Sequence, residues 1–305
     1  MFLKILAFFV YLFSIGGWTL TMAAPPTRQV TDQIGRTVTI PANPRKVVAF
    51  AASITEIIYA LDRQERLVGV TEFSDYPPAA TKLPKVGSYV RLDLERIVAL
   101  QPDLCIATKD GNPKATVDRL THLGIPVFVV DPRDFDSIMK TVKVLGSLLG
   151  ADEAAGQIVE DLKKRMDQVQ STVANVSYRP RVFMQIGISP IIAVGTNTFI
   201  HDLIVMAGGR NITSGKSTYP RLSREEVIHL APDIIVISTM ARSGAFEEVK
   251  KQWTQWQQIP AARHNRIYVV DSNLFNRPTP RLVEALELLA GIFHPELYDK
   301  VGTGK

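Results

Sequence analysis

The chain has 305 residues, of which 46% are hydrophobic and 21% charged, so it can bury a large core and wholesale disorder is excluded. Its formal net charge of +5 lacks the basic footprint of a nucleic-acid binder, though it permits an anionic small ligand. The single cysteine, Cys105, excludes an intramolecular disulfide.

The first residues follow a processing pattern: Lys4, an apolar run over 5–15, then Ala23 and Ala24 before Pro25 and Pro26. This order predicts a secretory signal peptide over 1–24. Gly16, Gly17 and Thr19 dilute the segment too early for it to span a bilayer. No cysteine adjoins the expected cut, so the expectation is a periplasmic protein that is not a lipoprotein.

From residue 46 short β-branched runs alternate with amphipathic stretches. Residues 47–50 read as a buried strand and 53–61 as a helix, with Ser53 and Glu56 spaced as a capping box. Residues 104–107, which hold Cys105 as a small buried hydrophobe, and 127–130 read as further strands. Asn112 and Pro113 are placed to open the helix between them. The βαβ rhythm predicts a mostly parallel sheet covered on both faces.

The decapeptide at 95–104, ERIVALQPDL, returns at 225–234 as EEVIHLAPDI, an offset of 130 residues. Each copy reads as a short helix, a Pro-Asp turn and a buried strand, and the repeat predicts two similar α/β lobes. Between them Ala154, Ile158, Leu162, Met166, Val169 and Val173 recur at helical spacing, and no Gly or Pro occurs from 158 to 177. The predicted organisation is an N-terminal lobe over 25–150, a rigid interlobe helix over 151–177 and a C-terminal lobe over 178–305. A single helical strut predicts small lobe movements. The second lobe is expected to begin with a strand at 181–185 and to end in a helix after Thr279 and Pro280 that runs to about Phe293.

Catalytic motifs are missing. Residues 187–191 nearly match a nucleophile elbow but lack its second glycine, and no phosphate-binding loop or dinucleotide fingerprint occurs. The five histidines (122, 201, 229, 264, 294) are scattered without ligand spacing. The expectation is a binding protein, not an enzyme, with no metal site and no cofactor. Aromatics in loops carry more information. Phe73, Tyr76, Tyr89, Tyr219 and Phe275 flank predicted strand ends, where ligands of open α/β sheets bind. Drawn from both lobes, they suggest a flat-walled cleft for a large planar ligand. Glu95 and Glu225 stand at equivalent helix starts, where an acid favours the helix dipole. A charge on each lobe equally suits arginines of a two-fold symmetric partner, and the repeat alone does not choose.

Residues 73–78 (FSDYPP), 94–104 (LERIVALQPDL), 181–190 (RVFMQIGISP) and 223–227 (SREEV) resemble the periplasmic cobalamin-binding proteins of ABC importers. Residues 206–212 (MAGGRNI) are similar to a stretch shared with the siderophore and haem binders of the same helix-linked superfamily. The likeness runs from about residue 45 to 293. It implies two Rossmann-like lobes joined by one long helix, a monomer with a corrinoid as transported ligand in the cleft, and delivery to a permease dimer. It maps the docking acids onto Glu95 and Glu225, and the cleft aromatics onto Phe73, Tyr89, Tyr219 and Phe275. Asn273 falls where the cobalamin binders carry an acid, and Arg277 is expected beside it in the ligand site. Where those binders use tryptophans this chain has Tyr89, Thr108, Tyr219 and Leu274, while Trp253 and Trp256 lie elsewhere. The alternative is a ferric siderophore or haem, with Arg91, Arg210, Arg221, Arg224 and Arg277 available to an anionic ligand.

Overall fold

The computed structural model describes residues 26–215, 217–238 and 245–298. The expected signal peptide over 1–24 lies outside the described residues. A hairpin of β1 (Thr27–Thr31) and β2 (Thr37–Pro41) opens the fold and docks on the first lobe, where Arg28 donates to the carbonyl of Ser147 at 2.7 Å.

The first lobe is a four-stranded, all-parallel sheet. Its strands are β3 (Val47–Ala49), β4 (Leu67–Val70), β5 (Leu104–Thr108) and β6 (Val127–Val130), in the order β4-β3-β5-β6. Such strands are covered on both faces and read as continuous apolar runs, as VVA, LCIAT and VFVV do here. Cys105 is fully buried in β5, and burial pushes its thiol pKa up, so it packs as a hydrophobe. The helices are α1 (Ala52–Ala60), α2 (Leu94–Ala99), α3 (Lys114–His122) and α4 (Phe135–Leu149).

Two helix starts differ from expectation. The N-cap of α1 is Ala51 without a side-chain bond, and Glu56 faces the other lobe instead of closing a capping box. Pro113 occupies the N-cap of α3, and Asn112 turns inward to bond three backbone groups. In both cases a tertiary partner outcompetes the local cap.

Helix α5 (Asp152–Val173) has 22 residues and so spans about 33 Å. Its first half packs Ala155, Val159 and Leu162 into the first core, and its second half packs Val169 and Val173 into the second. Met166 touches both. The lobes also exchange residues, since Phe135 and Ile138 of α4 join the second core. Where α4 meets α5, a Cβ on Gly146 would sit 2.5 Å from that of Ala155, so only glycine allows this approach.

The second lobe holds β7 (Arg181–Gly187), β8 (Ile191–Ala193), β9 (Arg210–Asn211), β10 (Arg221–Leu222), β11 (Ile234–Ile237) and β12 (Ile267–Val269). The order is β10-β8-β7-β11-β12, with β9 also on β7. Strands β7, β9, β11 and β12 run parallel, and β8 is antiparallel to both its neighbours, β7 and β10. Its helices are α6 (Phe199–Met206), α7 (Arg224–Leu230), α8 (Ala245–Thr254), α9 (Pro260–Arg263), α10 (Ser272–Phe275), α11 (Leu282–Phe293) and α12 (Pro295–Tyr298). Arg165 of α5 forks onto both carboxylate oxygens of Glu287 on α11, at 2.8 and 2.7 Å, which fixes the strut to this lobe. Trp253 is buried, edge-on to Phe183 and bonded to Gln185 at 2.8 Å, so it belongs to the core.

The internal repeat is equally visible in backbone detail. Asp103 accepts from the amides of Arg45 and Lys46, and Asp233 accepts from that of Arg181. Two residues before each aspartate, Gln101 and Ala231 both have positive φ, 48° and 43°. Left-handed backbone costs a non-glycine residue roughly 1–2 kcal/mol, against roughly 0.5–1 kcal/mol for the extra chain entropy of glycine. Ala231→Gly is therefore expected to raise stability by about 0.5 kcal/mol, measured as a small increase in Tm. A fall in Tm would show that the turn is not strained.

Candidate functional site

In the first lobe the strand order reverses between β3 and β5, and the loops after their carboxyl ends meet in the crevice where open α/β sheets take ligands. Tyr89 stands on the segment that follows β4. The turn over 88–91 is closed by Ser88 donating to the carbonyl of Arg91 at 2.9 Å. The Tyr89 ring lies against Gly111, whose φ is +100°; a Cβ there would stand 1.8 Å from the ring's Cε1. The hydroxyl donates to the carbonyl of Asp110. Asn112, buried behind this loop, donates to the carbonyls of Tyr89 (2.7 Å) and Phe50 (3.0 Å) and accepts from the Thr108 amide (2.8 Å). Burial first, then the charge of Asp110 and the neighbouring Tyr219, push the Tyr89 phenol up to about 12.

Tyr219 of the second lobe is 47% exposed. Its segment is held by the amide of Gly195 donating to the carbonyl of Thr218 at 2.8 Å and that of Ala193 donating to Pro220 at 2.9 Å. Here too a glycine makes the approach possible, since a Cβ on Gly195 would sit 1.8 Å from the carbonyl oxygen of Ser217. Partial burial and then Asp110, a residue of the other lobe, raise the Tyr219 pKa, while Arg133 opposes them. The two tyrosines therefore share one electrostatic neighbourhood across the crevice. The first-lobe rim beside them balances its charges. Arg133 pairs with Asp131 at 2.8 Å and Asp110 at 3.2 Å, and Lys109 pairs with Asp131 at 3.2 Å.

Further along the crevice the lobes are joined by ions. Nη1 of Arg277 donates to Glu56 and to Asp75, both at 2.8 Å, and its Nη2 to the carbonyl of Phe73 at 2.9 Å and to Asn273 Oδ1 at 2.6 Å. Arg281 lies 3.6 Å from the other oxygen of Glu56 and stacks over the Tyr76 ring, 3.7 Å from its centroid. Glu56 is 4% exposed, and desolvation raises its pKa despite Arg277 and Arg281.

The structure thus brings Tyr89 and Tyr219 to the crevice and places Phe73 at its edge, 58% exposed. Asn273 is half-buried and bonded to Arg277. Phe275 is a correction: it is fully buried in the second core, because α10 turns it inward, and it offers no face to a ligand. Arg277 is also placed differently from expectation, since its guanidinium is taken up by four acceptors of the protein itself. Arg91, Arg210, Arg221 and Arg224 are exposed. Sequence reading took Glu56 and Asn112 for local helix caps and assigned no role to Asp75, Arg281, Gly111 or Gly195. The positive φ of Gly111 and the tertiary roles of Glu56 and Asn112 leave no local signal.

Glu95 and Glu225 are exposed near the starts of α2 and α7, which precede the equivalent strands β5 and β11. Each helix is capped from its N-cap side chain, by Asp93 onto the amide of Arg96 and by Ser223 onto that of Glu226. Neither glutamate is needed for capping, so both are free to face solvent. Beside Glu95 runs a groove of about 750 Å³ walled by Leu92, Leu94, Val98 and Leu123.

The family model described as periplasmic binding protein matches residues 47–274. A vitamin B12-binding protein of Vibrio parahaemolyticus is 33% identical over 244 residues, 79% of this chain and 86% of that protein. The ABC transporter substrate-binding lipoprotein YvrC of Bacillus subtilis is 30% identical over 276 residues, 88% of this chain and 86% of its own length. Its name overturns the expectation of a protein that is not a lipoprotein: a missing cysteine near residue 24 does not decide anchoring in a family with so similar a lipoprotein member. Among solved structures, a periplasmic haem-binding protein from Pseudomonas aeruginosa superposes with a TM-score of 0.77 at 29% identity, over 83% of this chain and 93% of that one. With the family model matching residues 47–274 and a relative 33% identical over 79% of the chain, the chain belongs to the periplasmic binding protein family.

Proposed function

We propose that the chain captures cobalamin or a related corrinoid between Tyr89 and Tyr219 and delivers it to the permease dimer of an ABC importer. On this reading residues 25–150 and 178–305 act as the two lobes and 151–177 as their strut. The observation that carries it is charge neutrality along the crevice. Arg133, Lys109, Arg277 and Arg281 all have carboxylate partners in the protein. A corrin ring with neutral amide arms suits aromatic walls and paired ions, because it asks for stacking and hydrogen bonds and no net countercharge. The relative that shares 33% identity is a vitamin B12 binder, in keeping with this reading.

The haem reading is favoured by the Pseudomonas aeruginosa structure. Two features count against it. Haem brings two carboxylates to cations that are already paired, and an iron-ligating tyrosinate requires a proton to leave Tyr89, whose phenol is pushed up to about 12. Equilibrium dialysis against cyanocobalamin, cobinamide, haem and a ferric hydroxamate separates the readings. One-to-one binding of a corrinoid with no retention of haem is expected; the reverse pattern would overturn the proposal.

Delivery is assigned to Glu95 and Glu225, exposed on α2 and α7. Glu95→Ala with Glu225→Ala is expected to leave corrinoid affinity within about twofold while weakening docking by about 2 kcal/mol or more, the scale of losing one side of an interfacial charge pair. Reconstituted transport in vesicles is the readout, and unchanged uptake by the double variant would refute the assignment.

A further inference from the structure

We infer that Glu56 is the positioning residue of the crevice: it ties Arg277 and Arg281 of the second lobe to the first and sets the separation of the Tyr89 and Tyr219 walls. The inference rests on the reading that the ligand sits between those walls. Three kinds of observation support it. The first is connectivity. Arg277 is 221 residues from Glu56, 202 from Asp75 and 204 from Phe73, so these bonds all run from one lobe to the other. The second is geometry. A guanidinium is a rigid planar fork, and here its two terminal nitrogens meet three first-lobe acceptors, one on α1 and two on the loop after β4. Three fixed points locate the second lobe in distance and in rotation, which a single ion pair does not do. The third is incomplete satisfaction. Glu56 Oε2 is buried without a hydrogen bond, with Arg281 at 3.6 Å, so one half of the carboxylate is held only by charge.

A buried ion pair is a poor device for stability, because desolvating both ions offsets most of their attraction. Apolar residues would hold two lobes together more cheaply. Ions at this place give a defined spacing that depends on charge. The charged groups facing Glu56 are Arg277, Arg281 and Asp75. Around them lie Tyr76 beneath Arg281, Glu284 at 3.9 Å from Arg281, and Lys85 in the field of Asp75. Burial raises the Glu56 carboxyl above its ordinary value and so favours its neutral form. As it takes up a proton the attraction to both arginines falls. The lobes then sample wider separations, and apparent affinity drops by the fraction of molecules at the competent spacing.

The test is spin-label distance measurement across the crevice in the ligand-free full-length protein, with labels at Lys114→Cys and Arg224→Cys, both exposed. The parent is expected to give a narrow distribution at about pH 8 that broadens toward longer distances as pH falls toward 5. Glu56→Gln, which keeps the shape and removes the charge, is expected to be broad and insensitive to pH, and to bind cyanocobalamin on the order of tenfold more weakly at pH 8. Glu56→Asp, charged but shorter, is expected to restore the pH response with a shifted mean distance. Identical distributions for parent and Glu56→Gln, or a parent that does not respond to pH, would overturn the inference. Distances that behave as expected in a protein that binds no corrinoid would sustain the clamp and refute the ligand reading instead. The pH series on the parent tests the clamp even if Glu56→Gln fails to fold.

Discussion

Arg277→Met is expected to destabilise the protein by about 3 kcal/mol at pH 8, the scale of stranding one member of a buried ion pair. The side chains of Arg277 and Glu56 are 11% and 3% exposed, so water does not replace the lost bond. Asp75, at 46%, is solvated without its partner, and the cost falls on Glu56. That carboxyl already lies above its ordinary value of 4.5 because it is buried. Losing Arg277 removes the hydrogen bond and charge that pull it down, so its folded pKa rises further. An acid whose folded pKa exceeds its unfolded value holds an extra proton in the folded state. Its contribution therefore declines as pH rises from the unfolded pKa through the folded one, and is recovered on acidification. The gap between variant and parent is accordingly expected to shrink from pH 8 to pH 5.5 in urea unfolding. A gap below about 1 kcal/mol at pH 8, or one that widens on acidification, would contradict this account of Glu56.

The second large effect is expected at two glycines far apart in sequence. Gly111→Ala puts a methyl group into the Tyr89 ring and a side chain at φ +100°. The ring is able to swing away, so a folded protein is expected, destabilised by about 1–2 kcal/mol, with its first aromatic wall displaced. Gly195→Ala meets the main chain of Ser217, which has no such escape. Its stability loss is expected to be larger, roughly 2–3 kcal/mol, with the Tyr219 segment pushed off the edge of the sheet. Each variant is expected to weaken corrinoid binding by at least about tenfold, as when one aromatic anchor of a binding site is lost. Thermal unfolding and titration on the same samples measure both quantities. Either variant binding like the parent would show that its tyrosine is not a wall of the site.

These residues also show how far the sequence was legible. Apolar periodicity exposed the strands around Val47, Cys105, Val127 and Ile234 and the long helix α5, because burial imposes those patterns locally. The repeat of Glu95 in Glu225 foretold two like lobes, down to the matched turns at Gln101 and Ala231. The site was harder to read. Glu56 and Asn112 fit local capping rules and were read that way, yet their partners, Arg277 and Tyr89, lie 221 and 23 residues off. Phe275 was grouped with the loop aromatics because it flanks a predicted strand end. Helix α10 turns it the other way, and one turn of helix suffices to exchange a crevice face for a core face. Long-range pairing of charges and the inward or outward sense of a short helix leave no periodic trace in one chain.

The central claim is that paired ions and tyrosine walls make the crevice a site for a large ligand without net charge. Calorimetric titration with cyanocobalamin at 50 and 500 mM salt tests it most directly. Opposed ions already satisfied within the protein predict one-to-one binding at or below micromolar Kd, changing by less than about twofold between the two salts. No binding of cyanocobalamin, or an affinity that collapses at the higher salt, would contradict it and return the arginines to the ligand.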